Sequence, residues 1–217
     1  MKRISRILLA AILFTSSAAR ALTCPAPGAN DLAGLWESHD TSKGGIGHTV
    51  EFRPDGTFVE ATTVMVETVY RIAGDHLIVG ESPEKALDST FRIEGDTLVQ
   101  EGANGQTVRK ERFGKAEAGS SPVLGVWRFR HDTGAIAFER YTEDGRVLLR
   151  LPLASSTGCY KLAGDRLAMS KRDRKDVAIP FDLKAGELVL KGPGKSPVAY
   201  GRIVAGPWYD REHIAPL

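Results

Sequence analysis

The chain has 217 residues, a formal net charge of +2, two cysteines and five histidines. That length leaves room for one or two domains. The histidines (39, 48, 76, 131 and 213) are scattered singly and no Cys-x-x-Cys occurs, which excludes the usual metal-ligand spacings. Beyond the first residues no stretch is apolar enough to span a bilayer.

The first 21 residues read as a secretory signal peptide. Lys2, Arg3 and Arg6 make a basic start, Ile7 to Phe14 an apolar run too short to span, and Ala19-Arg20-Ala21 a small-x-small cleavage site. Cleavage removes four of the 29 basic residues and no acid, leaving 25 against 27. The mature chain is therefore expected to be slightly acidic, and periplasmic or secreted. Residues 22–31 form an irregular leader. Residues 32–114 then read as short strands between strong turn signals. Trp36 to His39 is the first strand and Thr49 to Phe52 the next, closed by Pro54-Asp55-Gly56, where Gly supplies a positive φ. Strands follow at Thr57 to Met65, Val69 to Ile72, Leu77 to Val79, Thr90 to Ile93, Leu98 to Gln100 and Thr107 to Phe113, separated by Gly74-Asp75, Gly95-Asp96 and Gly102 to Gly105. Residues 115–122 are a flexible linker in composition.

Residues 123–204 repeat the pattern, and 205–217 form a tail. Gly34-Leu35-Trp36 is answered by Gly125-Val126-Trp127, and Tyr70-Arg71-Ile72-Ala73-Gly74-Asp75 by Tyr160-Lys161-Leu162-Ala163-Gly164-Asp165. Arg112 is answered by Arg202. This is an internal repeat of a whole small β-domain. No window keeps a helical period after the signal peptide. The expected fold is all-β: two tandem small up-and-down antiparallel barrels, each of about eight strands. The halves differ in charge. Residues 32–113 carry 8 basic and 14 acidic groups, residues 122–203 carry 15 and 9. Opposite fields of that size can dock the halves or steer a charged partner; two independently solvated surfaces are the alternative.

A Gly-x-Trp on a first strand with an Arg on the last resembles the calycin signature of lipocalins. The Asp-Gly, Gly-x-Tyr and Gly-Asp-x-Leu marks look like the short bacterial lipocalin-like domains. The matching residues are Gly34, Trp36, Asp55-Gly56, Tyr70, Gly74-Asp75-His76-Leu77 and Arg112, then Gly125, Trp127, Asp144-Gly145, Gly158-Cys159-Tyr160, Gly164-Asp165-Arg166-Leu167 and Arg202. The first copy has Thr68 where Gly-x-Tyr has its glycine. The resemblance implies barrels plugged at one end, Trp36 under Arg112 and Trp127 under Arg202, each repeat closing on itself. Strands of about six residues reach only ~20 Å, so any pocket is shallow.

An exported chain with two cysteines is expected to join Cys24 to Cys159, strapping the leader across the second barrel. If Tyr160 and Leu162 face the core, alternation puts Cys159 on the outer wall. His39-Asp40 and His131-Asp132 read as turns sooner than as acid–base pairs. The basic run Lys171 to Lys175 reads as a solvated loop sooner than a polyanion contact. In Phe138-Glu139-Arg140-Tyr141 a charge shares a face with an aromatic on either register, so Glu139 and Arg140 are the hints of a polar pocket. No nucleophile–base constellation appears, so catalytic, cofactor and metal residues are all expected to be none, with no nucleic-acid partner. The expected function is an exported, non-enzymatic, lipocalin-like binding protein for a small, partly apolar ligand. The alternative is a surface-acting interaction protein, an inhibitor or envelope scaffold, with filled barrel interiors and a protein partner.

Overall fold

The computed structural model describes residues 23–25, 27, 31–42, 45–171, 174–192, 194 and 196–205, with 174 and 175 as backbone only. The expected signal peptide, parts of the leader and basic loop, and the tail beyond 205 lie outside the described residues. The described residues are all-β, in fourteen strands: β1 (Gly34–Ser38), β2 (Ile46–Phe52), β3 (Thr57–Ala73), β4 (His76–Val79), β5 (Leu87–Glu94), β6 (Thr97–Gly102), β7 (Thr107–Arg112), β8 (Gly125–Arg130), β9 (Ile136–Tyr141), β10 (Arg146–Ala163), β11 (Arg166–Lys171), β12 (Arg174–Lys184), β13 (Glu187–Leu190) and β14 (Val198–Arg202). No described helix is long and apolar enough to cross a membrane.

All neighbours pair antiparallel, and the strands close into one ring in which β1 meets β14. The ring carries one cross-link, a pairing of β3 with β10 that runs from Arg146↔Val69 to Cys159↔Thr57. Thr57–Ala73 contains no Gly or Pro and is rich in β-branched residues, so nothing breaks it and it forms one strand of 17 residues. The expected break after Met65 is absent. Its first part pairs with β2 and its last part with β4. Correspondingly, β10 pairs first with β9 and then with β11.

The cross-link divides the ring into two closed circuits. Ring one holds β1, β2, β11, β12, β13 and β14; ring two holds β4 to β9; both share β3 and β10. Each has its own core. Trp36, Phe52, Phe58, Tyr160, Leu167 and Leu188 cluster in ring one; Leu77, Leu98, Trp127, Tyr141 and Val147 cluster in ring two. The expectation that each repeat closes on itself is corrected here. The first and last strands of the first repeat do not meet: β1 pairs with β14 and β7 with β8. Each circuit is completed by strands from both repeats.

Alternation along β10 shows how one strand serves two interiors. Val147 and Leu149 pack into the core of ring two, Tyr160 and Leu162 into that of ring one. The inward parity thus changes from odd to even, and the register shifts between Pro152 and Ala154. A one-residue slip flips every side chain to the other face, and a bulge is where a strand tolerates proline.

The Cys24–Cys159 disulfide is present. Tyr160 is buried and Cys159 lies on the outer wall, as alternation requires. The wall is that of ring one, however: Cys159 stands between Thr57 of β3 and Ser170 of β11, strands from both repeats. Gly56, at φ 81°, turns β2 into β3, and a Cβ there would collide with the Pro25 carbonyl of the strapped leader.

The charge difference between the halves has a structural counterpart. Glu37, Glu51, Glu60, Glu67 and Glu111 of the first half pair with Arg150, Arg130, Lys171, Arg146 and Arg128 of the second. Glu51 is held by two guanidiniums. Arg130 grips both its oxygens at 2.8 and 3.0 Å, and Arg53 adds a bond of 2.8 Å. Burial acts to raise its pKa, but the two guanidiniums outweigh burial and hold it below the ordinary value of 4.5.

A protease site placed at residues 115–118 of the full-length protein, then cut and reduced, should leave both halves co-eluting at the mass of the intact chain. Separation of the halves would refute the crossed pairing. Because the folded pKa of Glu51 is depressed, its stabilisation is present above about pH 4.5 and is lost as pH falls through the folded value. Acid unfolding of Glu51→Gln should therefore lack that component, with the variant losing less stability than the parent below pH ~4.5. Parallel acid-denaturation curves would show that Glu51 is not coupled to folding.

Candidate functional site: the open mouth of ring one

Both rings are sealed at one end by the same device. The Trp36 indole is fully buried and donates its N–H to the Leu32 carbonyl at 2.8 Å; the Arg202 guanidinium lies 4.3 Å from the ring centroid. Trp127 is also fully buried, donates to Val123 O at 2.6 Å, and is covered by Arg112 at 4.1 Å. The partners are therefore Trp36 with Arg202 and Trp127 with Arg112, not the intra-repeat pairs expected. The guanidiniums also tie down the chain entering each ring, Arg202 through Ala33 O at 2.7 Å and Arg112 through Leu124 O at 2.8 Å. A cation over an indole face contributes roughly 0.5–2 kcal/mol according to its exposure.

The other end of ring one is open. Arg202 ends β14 and Val198 begins it, so the mouth lies where β14 starts, beside the starts of β2 and the ends of β11. A cavity of about 440 Å³ sits there, with Val50, Val198 and Tyr200 as its apolar side and His48, Glu60, Thr62 and Ser156 as its polar side. Phe58 is fully buried in the ring-one core, and Lys171 stands 5.9 Å from its ring centroid. Lys171 is ion-paired with Glu60, to which Ser156 donates a hydrogen bond of 3.2 Å. Burial, reinforced by the Glu60 charge, raises the Tyr200 phenol above its ordinary pKa of 10.0. The mouth therefore offers an apolar contact surface beside an ordered hydroxyl–carboxylate–ammonium chain.

The corresponding interior of ring two is occupied. Where Trp36 pairs with Val50, Trp127 pairs with Glu139. Glu139 accepts from Lys110 Nζ at 2.5 Å and from Tyr141 OH at 2.7 Å, and Lys110 also lies 4.8 Å from the Phe129 ring centroid. Lys110, Glu139 and Tyr141 are all buried. Burial first, then the Glu139 carboxylate, pushes the Tyr141 hydroxyl well above its ordinary pKa. A buried carboxylate requires such partners, since an unpaired one would cost several kcal/mol. The position equivalent to Glu60 is Leu149, and that of Ser156 is Val66, again larger and apolar.

The two hints of a polar pocket therefore part company. Glu139 faces the interior of ring two; Arg140 faces outward and pairs with Glu117 at 3.3 Å. His131 sits in a turn, with its Nδ1 accepting from Thr133 N at 3.2 Å and its carbonyl from Gly134 N at 2.8 Å. No group of three potential metal ligands occurs among the described residues. Sequence reading missed Lys110 and Glu60, and it put Lys171 in a solvated loop, whereas Lys171 is the last residue of β11 and is ion-paired with Glu60. Lys110 had a signal: it lies two residues before Arg112, so alternation puts it on the face that meets Trp127. Glu60 similarly follows Phe58 by two. The pairing of Lys171 with Glu60 had no local signal, because the two lie in different repeats.

No family model, curated protein or solved structure matches the chain, so the geometry carries the functional argument.

Trp36→Ala and Trp127→Ala should each cost about 3–5 kcal/mol of unfolding free energy as large core truncations, measured by denaturant melts. Arg202→Ala and Arg112→Ala should cost less. A tryptophan variant with an unchanged melt would take these residues out of the core and assign them to ligand contact.

Proposed function

We propose that the protein is an exported, non-enzymatic binding protein of lipocalin-like type that holds a small, partly apolar ligand in the open mouth of ring one. One observation carries this reading: a cavity of about 440 Å³ at the unplugged end, within the ~300–1,000 Å³ range of small-molecule sites. Val50, Val198 and Tyr200 suit the ligand's apolar part, and the Ser156–Glu60–Lys171 chain suits one hydroxyl or amine. A disulfide between Cys24 and Cys159 is consistent with an oxidising compartment and so supports export. The filled interior of ring two favours a second, structural role for that half, in which it acts through its outer surface.

Native mass spectrometry of the protein purified from its own host tests the reading. The expected result is a co-purifying small molecule, lost in Val198→Trp with the melting temperature unchanged. Retention of the same molecule in Val198→Trp would place the ligand elsewhere and overturn the assignment.

A further inference from the structure

A second concave site lies outside both interiors, between the outer walls of the two rings. Its floor is apolar: Leu35 of β1, Ile136 and Phe138 of β9, Phe113 after β7, and Ile203 after β14. Phe113 and Phe138 meet edge to face with centroids 5.3 Å apart, and Arg128 lies 5.5 Å from the Phe113 centroid. The groove encloses about 630 Å³. Its polar wall holds Arg53, Arg109, Arg128 and Arg130 against Glu51 and Glu111, an excess of two positive charges.

The arginines are held in place by those carboxylates and by one further glutamate. Arg53 and Arg130 share Glu51, Arg128 binds Glu111 through Nε and one terminal nitrogen, and Arg109 binds Glu94. A guanidinium has five N–H donors in a fixed plane. The carboxylate contacts of Arg53 and Arg128 occupy only part of that fork, so donors already oriented remain for another oxyanion. Fixed donors lose little entropy on binding. Beside them lies an aromatic floor, which accepts a flat or short apolar body.

We propose that this inter-ring groove is a binding site for a small amphipathic organic anion, its carboxylate or sulfonate held by Arg53 and Arg128 and its apolar body laid on Phe113 and Phe138. The site is independent of the ring-one cavity: none of its lining residues lines that cavity. Both rings and both repeats contribute to it, so it exists only because the halves are interlocked.

The probe is 8-anilinonaphthalene-1-sulfonate, an aromatic sulfonate, added to the full-length mature protein. Its fluorescence should rise saturably, and its Kd should weaken tenfold or more in Arg53→Gln/Arg128→Gln and with added salt. Val198→Trp, at the ring-one mouth, should leave the Kd unchanged. A reading that needs no variant is protection: saturating probe should slow phenylglyoxal modification of Arg53 and Arg128, followed by peptide mass spectrometry. An unaltered Kd in the double variant together with unprotected arginines would overturn the proposal. So would loss of binding in Val198→Trp, which would place the probe in ring one. A tenfold gain in affinity on truncation after Ala205 would assign the groove to the chain's own C-terminal segment and overturn it equally.

Discussion

The pairing of β3 with β10 is the constraint on which the rest of the structure depends. Without it the fourteen strands would form one wide ring with an interior too large for its side chains, since an eight-stranded barrel is about the size that side chains can fill. The seam divides that ring into two circuits of eight, each small enough to be packed around a single tryptophan. The two shared strands serve both interiors differently. β3 presents even-numbered residues to both, Phe58 to ring one and Tyr70 and Ile72 to ring two, whereas β10 changes from odd to even across the shift at Pro152. The proline has no N–H to contribute to the ladder, so the interruption falls where a hydrogen bond is already missing.

On this shared scaffold the two interiors have been filled differently. Equivalent positions carry Val50 and Glu139, Tyr200 and Lys110, Glu60 and Leu149, Ser156 and Val66. In ring two the larger apolar side chains and the Lys110–Glu139–Tyr141 cluster occupy the space. In ring one Val50 and Ser156 are smaller than their counterparts and line a cavity, and the charged pair sits at the rim, where Glu60 is half-exposed and screened by solvent. A charge pair at a rim costs far less desolvation than one in a core. The difference leaves an open mouth in ring one, the feature on which the proposed binding role rests, and a buried charge cluster at the corresponding place in ring two.

Electrostatics between the halves follows the same interlock. An acidic first repeat and a basic second repeat place opposite charges side by side at five contacts between their strands. Single exposed pairs of this kind contribute little, about 0–1 kcal/mol. Five such pairs with the acid on the first repeat and the base on the second favour association of the first repeat with the second over association of like with like; the buried Lys110–Glu139 pair has the reverse polarity. Arg130 on Glu51 is a bidentate example, and the surplus of arginine along that contact is what gives the inter-ring groove its positive wall.

Much was legible in the sequence alone: the all-β class, the hairpin turns at Asp55-Gly56, Gly74-Asp75 and their counterparts, the internal repeat, the burial of both tryptophans and the outward face of Cys159. Each rests on local chemistry, a glycine turn or a two-residue alternation, and each is set by residues close in the chain. Which repeat closes on which was not legible. Trp36 meets Arg112 or Arg202 with equal local merit because the two arginines are equivalents in a repeat, so alternation and propensity are the same for both. The uninterrupted run from Thr57 to Ala73 was the one local sign, a strand too long for a single small barrel. The choice itself is made by non-local terms: the β3–β10 ladder, the opposite charges of the halves and the packing of Leu35 and Ile203 against Phe138 and Leu148. Those terms exist only once residues a hundred positions apart are side by side, and with them came the open mouth at Glu60 and Lys171 and the groove between the rings.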